Sequence, residues 1–107
     1  MWRAAQLFSD NRYVTPMAAV AGAVADGVKT AMLNGRQLNK IYVNNGGDIS
    51  LYLTGDATFS TAIVDDLDRP FINAKLKVMA EDNIFGVATS GWRGRSFSLG
   101  IADAVTV

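Results

Sequence analysis

Ile41-Tyr42-Val43-Asn44-Asn45-Gly46-Gly47-Asp48-Ile49-Ser50-Leu51-Tyr52-Leu53 is the stretch whose reading decides the fold. Ile41-Tyr42-Val43 is short and β-prone, and Ile49, Leu51 and Leu53 alternate with Ser50, Tyr52 and Thr54, the period of a strand with one buried face. Asn44 to Asp48 therefore reads as a bend between two strands. Its paired glycines tolerate positive φ and let the backbone approach a neighbour closely. Two readings of the bend stay open. Asn-Gly and Gly-Gly are the usual hairpin signals, with an Asx-type turn. Successive exposed N–H groups also form a nest for phosphate or another anion, beside which Asp48 could accept a hydrogen bond from a ribose or a heterocycle N–H.

Upstream of this stretch the periodicity is helical. Thr15-Pro16 predicts a helix start, with Thr as N-cap and Pro at the first helical position, where its missing N–H costs nothing. Met17, Val20, Val24, Val28 and Met32 recur on one face, and Asn34-Gly35 supplies the stop. The helix is rich in alanine and holds Gly22 and Gly27, each costing about 1 kcal/mol relative to alanine. Close packing against a sheet is the expected reason for them.

Downstream the pattern is one of short strands. Thr54-Gly55-Asp56 reads as a turn, Phe59 to Val64 as a strand and Asp65 to Pro70 as a polar loop. Leu76, Val78 and Ala80 alternate with Lys75, Lys77, Met79 and Glu81, as in a half-buried strand. Phe85 to Ala88 and Phe97 to Leu99 read as further strands, and Val105-Thr106-Val107 starts another. One helix followed by successive strands predicts an α+β domain, a long Ala-rich helix on a mainly antiparallel sheet. No linker or internal repeat divides the chain, so residues 1–107 are read as one domain. Because Ala104 to Val107 stops inside a β-prone run, that domain is expected to be partial, cut short at its C-terminus and lacking an N-terminal part.

Composition excludes several functions. Ten basic and ten acidic side chains cancel, which leaves no long-range attraction for a nucleic-acid backbone or an anionic membrane. Cysteine and histidine are both absent, so disulfides, thiolate metal sites and Ser-His or Cys-His nucleophile pairs are ruled out. Catalysis would have to use carboxylates, hydroxyls, backbone amides or a hard cation such as magnesium. The N-terminus has no apolar run of signal-peptide length, and Asp26 and Lys29 interrupt the stretch from Met17 to Leu33. A cytoplasmic protein is expected.

A second candidate for chemistry is Ala88-Thr89-Ser90-Gly91-Trp92-Arg93-Gly94-Arg95-Ser96. Its hydroxyls, glycines and the planar donor forks of Arg93 and Arg95 suit phosphate or carboxylate, and Trp92 could stack on a ring. The same residues also suit an exposed, solvated loop. Asp65-Asp66-Leu67-Asp68 gathers three carboxylates and could be taken for a hard-metal site, though a loop this acidic is more often solvated. Asp103, among small and apolar residues, must be exposed, capped or paired.

In order, the helix Pro16 to Ala25, the turn Asn45-Gly46-Gly47-Asp48-Ile49 and the run Ala88-Thr89-Ser90-Gly91 resemble the ApbE-like superfamily, whose characterised members move FMN from FAD onto protein threonines using magnesium. The chain looks closer still to a group of uncharacterised ApbE-related proteins with a Pro-Met-Ala-Ala-Val-Ala-Gly helix and a closing Ser-x-Gly-x-Ala-Asp-Ala-Val-Thr-Val segment, here Ser98 to Val107. The resemblance covers nearly everything from about Tyr13 onward. It implies a partial ApbE-like fold and a site for FAD or FMN, with magnesium, lined by Thr15, Asn45, Gly46, Gly47, Asp48, Thr89, Ser90, Gly91, Arg93 and Arg95. Backbone amides of two glycine-containing bends and one helix tip would then converge on a single anion-friendly pocket.

The sequence also departs from that pattern. The transferases begin the equivalent helix with Ala-Lys-Gly, and Ala18-Ala19-Val20 lacks the lysine. Their metal motif has Thr four residues after Asp, whereas Thr106 is three after Asp103, so Asp103 is only a weak metal candidate. Arg95 stands where the related group often has His. No catalytic residue is named. The expected function is a flavin-nucleotide site whose parent is an FMN transferase or a non-catalytic binder. The alternative is a structural or self-associating module, in which a homodimer or higher homo-oligomer covers uncovered strand edges and apolar surface.

Overall fold

The computed structural model of the chain describes residues 1–6, 15–63, 74–88 and 105–106. A short helix α1, Trp2–Gln6, opens the chain, an element that no sequence pattern announced. Thr15 has the extended backbone of an N-cap, yet its side chain makes no capping hydrogen bond. Instead the Ala18 N–H donates to the Thr15 carbonyl at 3.0 Å, and Pro16–Ala19 wind as a 3₁₀ turn before the α-helix proper begins. That helix, α2, spans Val20–Leu33 and stops where expected, with Asn34 as C-cap and Gly35 at φ +70°.

The face of α2 that packs is not the one its large apolar residues mark. Met17, Val24, Val28 and Met32 are exposed, while Ala25 is fully buried. The glycines also need a different reading. A Cβ on Gly22 or Gly27 would meet no described atom within 4 Å, so neither is required by close packing among the described residues.

The strands follow the hydrophobic alternation. β1, Lys40–Asn45, pairs antiparallel with β2, Asp48–Leu53, in a register that runs from Lys40 opposite Leu53 to Asn45 opposite Asp48. β3, Thr58–Ile63, pairs with β4, Ala74–Met79, after a turn in which Gly55 adopts φ +61°. β5, Gly86–Ala88, lies against β2, and β6, Val105–Thr106, against β5. Every pairing among the described residues is antiparallel, which completes the expected α+β class, with one refinement. The strands form two sheets, β1-β2-β5-β6 and the separate hairpin β3-β4. Ala80, expected to extend β4, instead opens a 3₁₀ turn, Ala80–Asp82, because the Asp82 carboxylate accepts the Met79 N–H at 2.7 Å. The expected strand Phe97 to Leu99 and loop Asp65 to Pro70 lie outside the described residues.

β2 is covered on both faces. Ile49 and Leu51 point into a core with Phe59, Val78 and Val87, supplied by the hairpin and by β5. Ser50, between them, is also buried, because the opposite face of the strand lies under α2. Sheet pairing puts Ile41 and Val43 on the α2 side and Tyr42 on the hairpin side, where its ring is 5.4 Å from that of Phe59. The central strand is thus held between a helix and a hairpin.

A hollow between the helix and the strands

The bend Asn44–Asp48 forms a hairpin. Gly46 at φ +66° and Gly47 at φ +106° supply the two left-handed positions of its tight turn. Asn44 Oδ1 accepts the Gly47 N–H at 2.9 Å, so one amide of the expected anion nest is engaged inside the turn. Asn45 Nδ2 donates to the Ala21 carbonyl at 3.2 Å and ties the hairpin to α2. These contacts fix where the next residue, Asp48, leaves the turn.

Asp48 reaches a hollow of about 330 Å³. Its walls come from Gly22, Asp26 and Lys29 of α2, from Asp48 to Ser50 of β2 and from Phe85 to Ala88 at β5. The volume sits at the lower end of the range for small-molecule sites. Because Ser50 pairs with Gly86 and Ile49 with Val87, the β2–β5 junction forms the floor. Gly86 eases a close approach there, since a Cβ would lie 3.1 Å from the Ile49 carbonyl oxygen, tighter than an ordinary contact. The Leu51 N–H donates to the Phe85 carbonyl at 2.7 Å and holds that residue at the rim, where its side chain is 64% exposed.

The polar groups of the wall are connected. Asp26 Oδ1 accepts a hydrogen bond from the Ser50 hydroxyl and another, at 2.9 Å, from the Lys29 ammonium. The Ser50 hydroxyl holds the Asp26 carboxyl below its ordinary value; burial opposes this, and Lys29 reinforces it through its hydrogen bond and its charge. Asp26 is therefore ionised at neutral pH, and the Lys29 charge is already paired. No described residue donates a hydrogen bond to the Asp48 carboxylate.

Of the residues nominated from sequence, Asp48 lies in this wall. Thr15, Asn45, Gly46 and Gly47 do not: Thr15 heads the 3₁₀ turn, and the other three build the hairpin that positions Asp48. Thr89, Ser90, Gly91, Arg93, Arg95 and Asp103 lie outside the described residues. Asp26, Lys29 and Ser50 were not nominated. The signal for the first two was visible as charges that interrupt an apolar helix, but only the register of β2 places Ser50 beneath them. Among the described residues, no group of three or more His, Cys, Asp or Glu side chains could hold a metal ion. None of the described helices is long and apolar enough to cross a membrane.

Fold and hollow together define an α+β protein with a small-molecule-sized recess where its long helix meets the sheet. The chain belongs to the AbpE bacteria family, which it matches over residues 1–107. It is 37% identical over 95 residues to a UPF0280 protein of Methanocaldococcus jannaschii, covering 88% of this chain and 37% of that protein. A UPF0280 protein of Methanothrix thermoacetophila is 37% identical over 108 residues, with 100% of this chain and 42% of the relative covered. One from Methanopyrus kandleri is 36% identical, again over 108 residues, covering 100% of this chain and 39% of the relative. The chain thus spans about two fifths of the length of these relatives. No solved structure matches it.

Proposed function

We propose that the chain contributes part of a flavin-nucleotide site, with the hollow between α2 and the β2–β5 junction as the described portion. The supporting observation is the meeting of Asp48, nominated from the Asn-Gly-Gly-Asp turn, with an exposed aromatic residue and a partly apolar recess. This donor set suits a flavin ring or a ribose better than it suits phosphate. It does not suit magnesium among the described residues, so no step is assigned to that ion. FMN transfer belongs to this proposal only as an activity of a longer parent protein. To test it, the chain is titrated with FAD and with FMN, with and without magnesium, reading flavin fluorescence and thermal midpoint. Saturable quenching with a rise in midpoint is expected for at least one flavin, and no response under any condition removes the proposal.

A second reading, self-association, is favoured by the exposed stripe Met17, Val24, Val28 and Met32. Replacing Val24 and Val28 with lysine should shift the chain toward monomer in light scattering, with each site changing stability by less than about 0.5 kcal/mol. A wild-type chain already monomeric at micromolar concentration rules this reading out.

A further inference from the structure

We infer that the hollow reads the hydrogen-bond-donating edge of a planar heterocycle, with Asp48 as acceptor and Phe85 against the ring, and that it leaves phosphate outside. For the flavin case this rests on the function proposed above, but the chemistry is that of any ring bearing an imide or amino edge. Three observations carry it.

The first is charge. Among the described residues, the wall holds two carboxylates, Asp26 and Asp48, and one ammonium, Lys29. Lys29 is already bonded to Asp26 at 2.9 Å, so the carboxylate left over is that of Asp48. From these residues a phosphate would meet net negative charge, and to gain a cation among them it would have to break the Lys29–Asp26 ion pair. A neutral N–H donor faces no such penalty.

The second is hydrogen-bond inventory. Asp26 has two donors, Ser50 and Lys29, and Ser50 uses its hydroxyl proton on Asp26. The Asp48 carboxylate has none from the described residues, so none of them competes with a ligand for it. An ionised acceptor makes shorter and stronger hydrogen bonds than a neutral one. The third is shape. Phe85 stands at the rim, 64% exposed, with its backbone pinned by the Leu51 N–H, while Ala88 gives the recess an apolar side. An aromatic face over an apolar slot with one acidic acceptor suits a flat ring with a polar edge.

The test compares riboflavin, FMN, adenosine, guanosine and inorganic phosphate on the whole chain, by fluorescence or calorimetry. Riboflavin is expected to bind within about threefold of FMN, and inorganic phosphate is expected neither to bind nor to compete. Asp48→Asn should weaken ring binding about tenfold, the loss of one charge-assisted hydrogen bond, with an unchanged thermal midpoint showing that the variant folds. Phe85→Ala should weaken it about fivefold. If FMN binds and riboflavin is more than tenfold weaker, the flavin proposal stands and this inference falls. If adenosine or guanosine binds and neither flavin does, the inference stands and the flavin proposal falls. Binding of none of the rings overturns it, as does ring binding that Asp48→Asn leaves intact.

Discussion

On the side of α2 that meets the sheet stand Ala25, fully buried, and the hollow-lining trio Gly22, Asp26 and Lys29. On the other side stand Val24, Val28 and Met32, preceded by Met17 of the 3₁₀ turn, all at least 40% exposed. The apolar payload of this helix therefore faces away from the sheet on which it lies. Ala25 is the α2 residue buried against the strands. Close approach is what allows the Ser50 hydroxyl, on the floor, to reach a carboxylate on the helix. The inner face combines one buried alanine with polar ties to the strands, and the outer face is apolar with no partner among the described residues.

The two faces of α2 should differ most at Ala25. Ala25→Leu pushes extra volume into a site with no accessible surface and should cost about 1–3 kcal/mol, read as a lower urea midpoint. Val28→Ala, one turn away on the outer face, should change stability by less than about 0.5 kcal/mol. Equal losses at the two positions would mean that the outer stripe is covered in solution and that the two faces do not differ in this way.

A smaller effect, of opposite sign, is expected at Gly27. An added Cβ meets nothing within 4 Å among the described residues, and φ there is not positive. Gly27→Ala should therefore stabilise the chain by about 1 kcal/mol through helix propensity alone. A destabilised variant would restore the close-packing explanation that the sequence suggested and would place a neighbour against this part of α2.

Much of the strand content was legible because it depends on local alternation. Ile49 and Leu51 point into the core as their spacing predicted, and Gly46-Gly47 turns the chain back because only left-handed residues close so short a loop. The stop of α2 was legible for the same kind of reason. The facing of α2 was not. Its periodicity identified an apolar stripe, but nothing in it says which face another element approaches, and an alanine face gives almost no hydrophobic signal. The hollow was legible at one residue. Asp48 follows a recognisable turn, whereas Asp26, Lys29 and Ser50 come together only through the β1–β2 register and the tie from Asn45 to Ala21. The 3₁₀ start at Pro16 was hidden too, because a Thr-Pro pair signals a helix start without fixing which carbonyl the first amides choose.

The smallest expected effect concerns the bond that joins the two layers. Asp26 is 65% exposed in its side chain while its partner Lys29 is only 16% exposed, so solvent screens much of the attraction. The Ser50 hydrogen bond, then Lys29, keep the Asp26 carboxyl below 3.8 when folded, against the opposing effect of burial. A lowered folded value means that the unfolded chain binds the proton more readily as acid is added. The stabilisation is therefore present above the ordinary carboxylate range and fades as pH falls through it. Asp26→Asn should lower stability at pH 7 by less than about 1 kcal/mol after that screening. The gap between variant and wild type should narrow as the pH is taken below the ordinary carboxylate value, measured as urea midpoints at neutral and acid pH. A gap that stays constant or widens in acid would show that the carboxylate charge does not hold α2 to β2. The contact between the inner face and the strands would then rest on uncharged contacts, Ala25 packing and the Asn45 bond to Ala21.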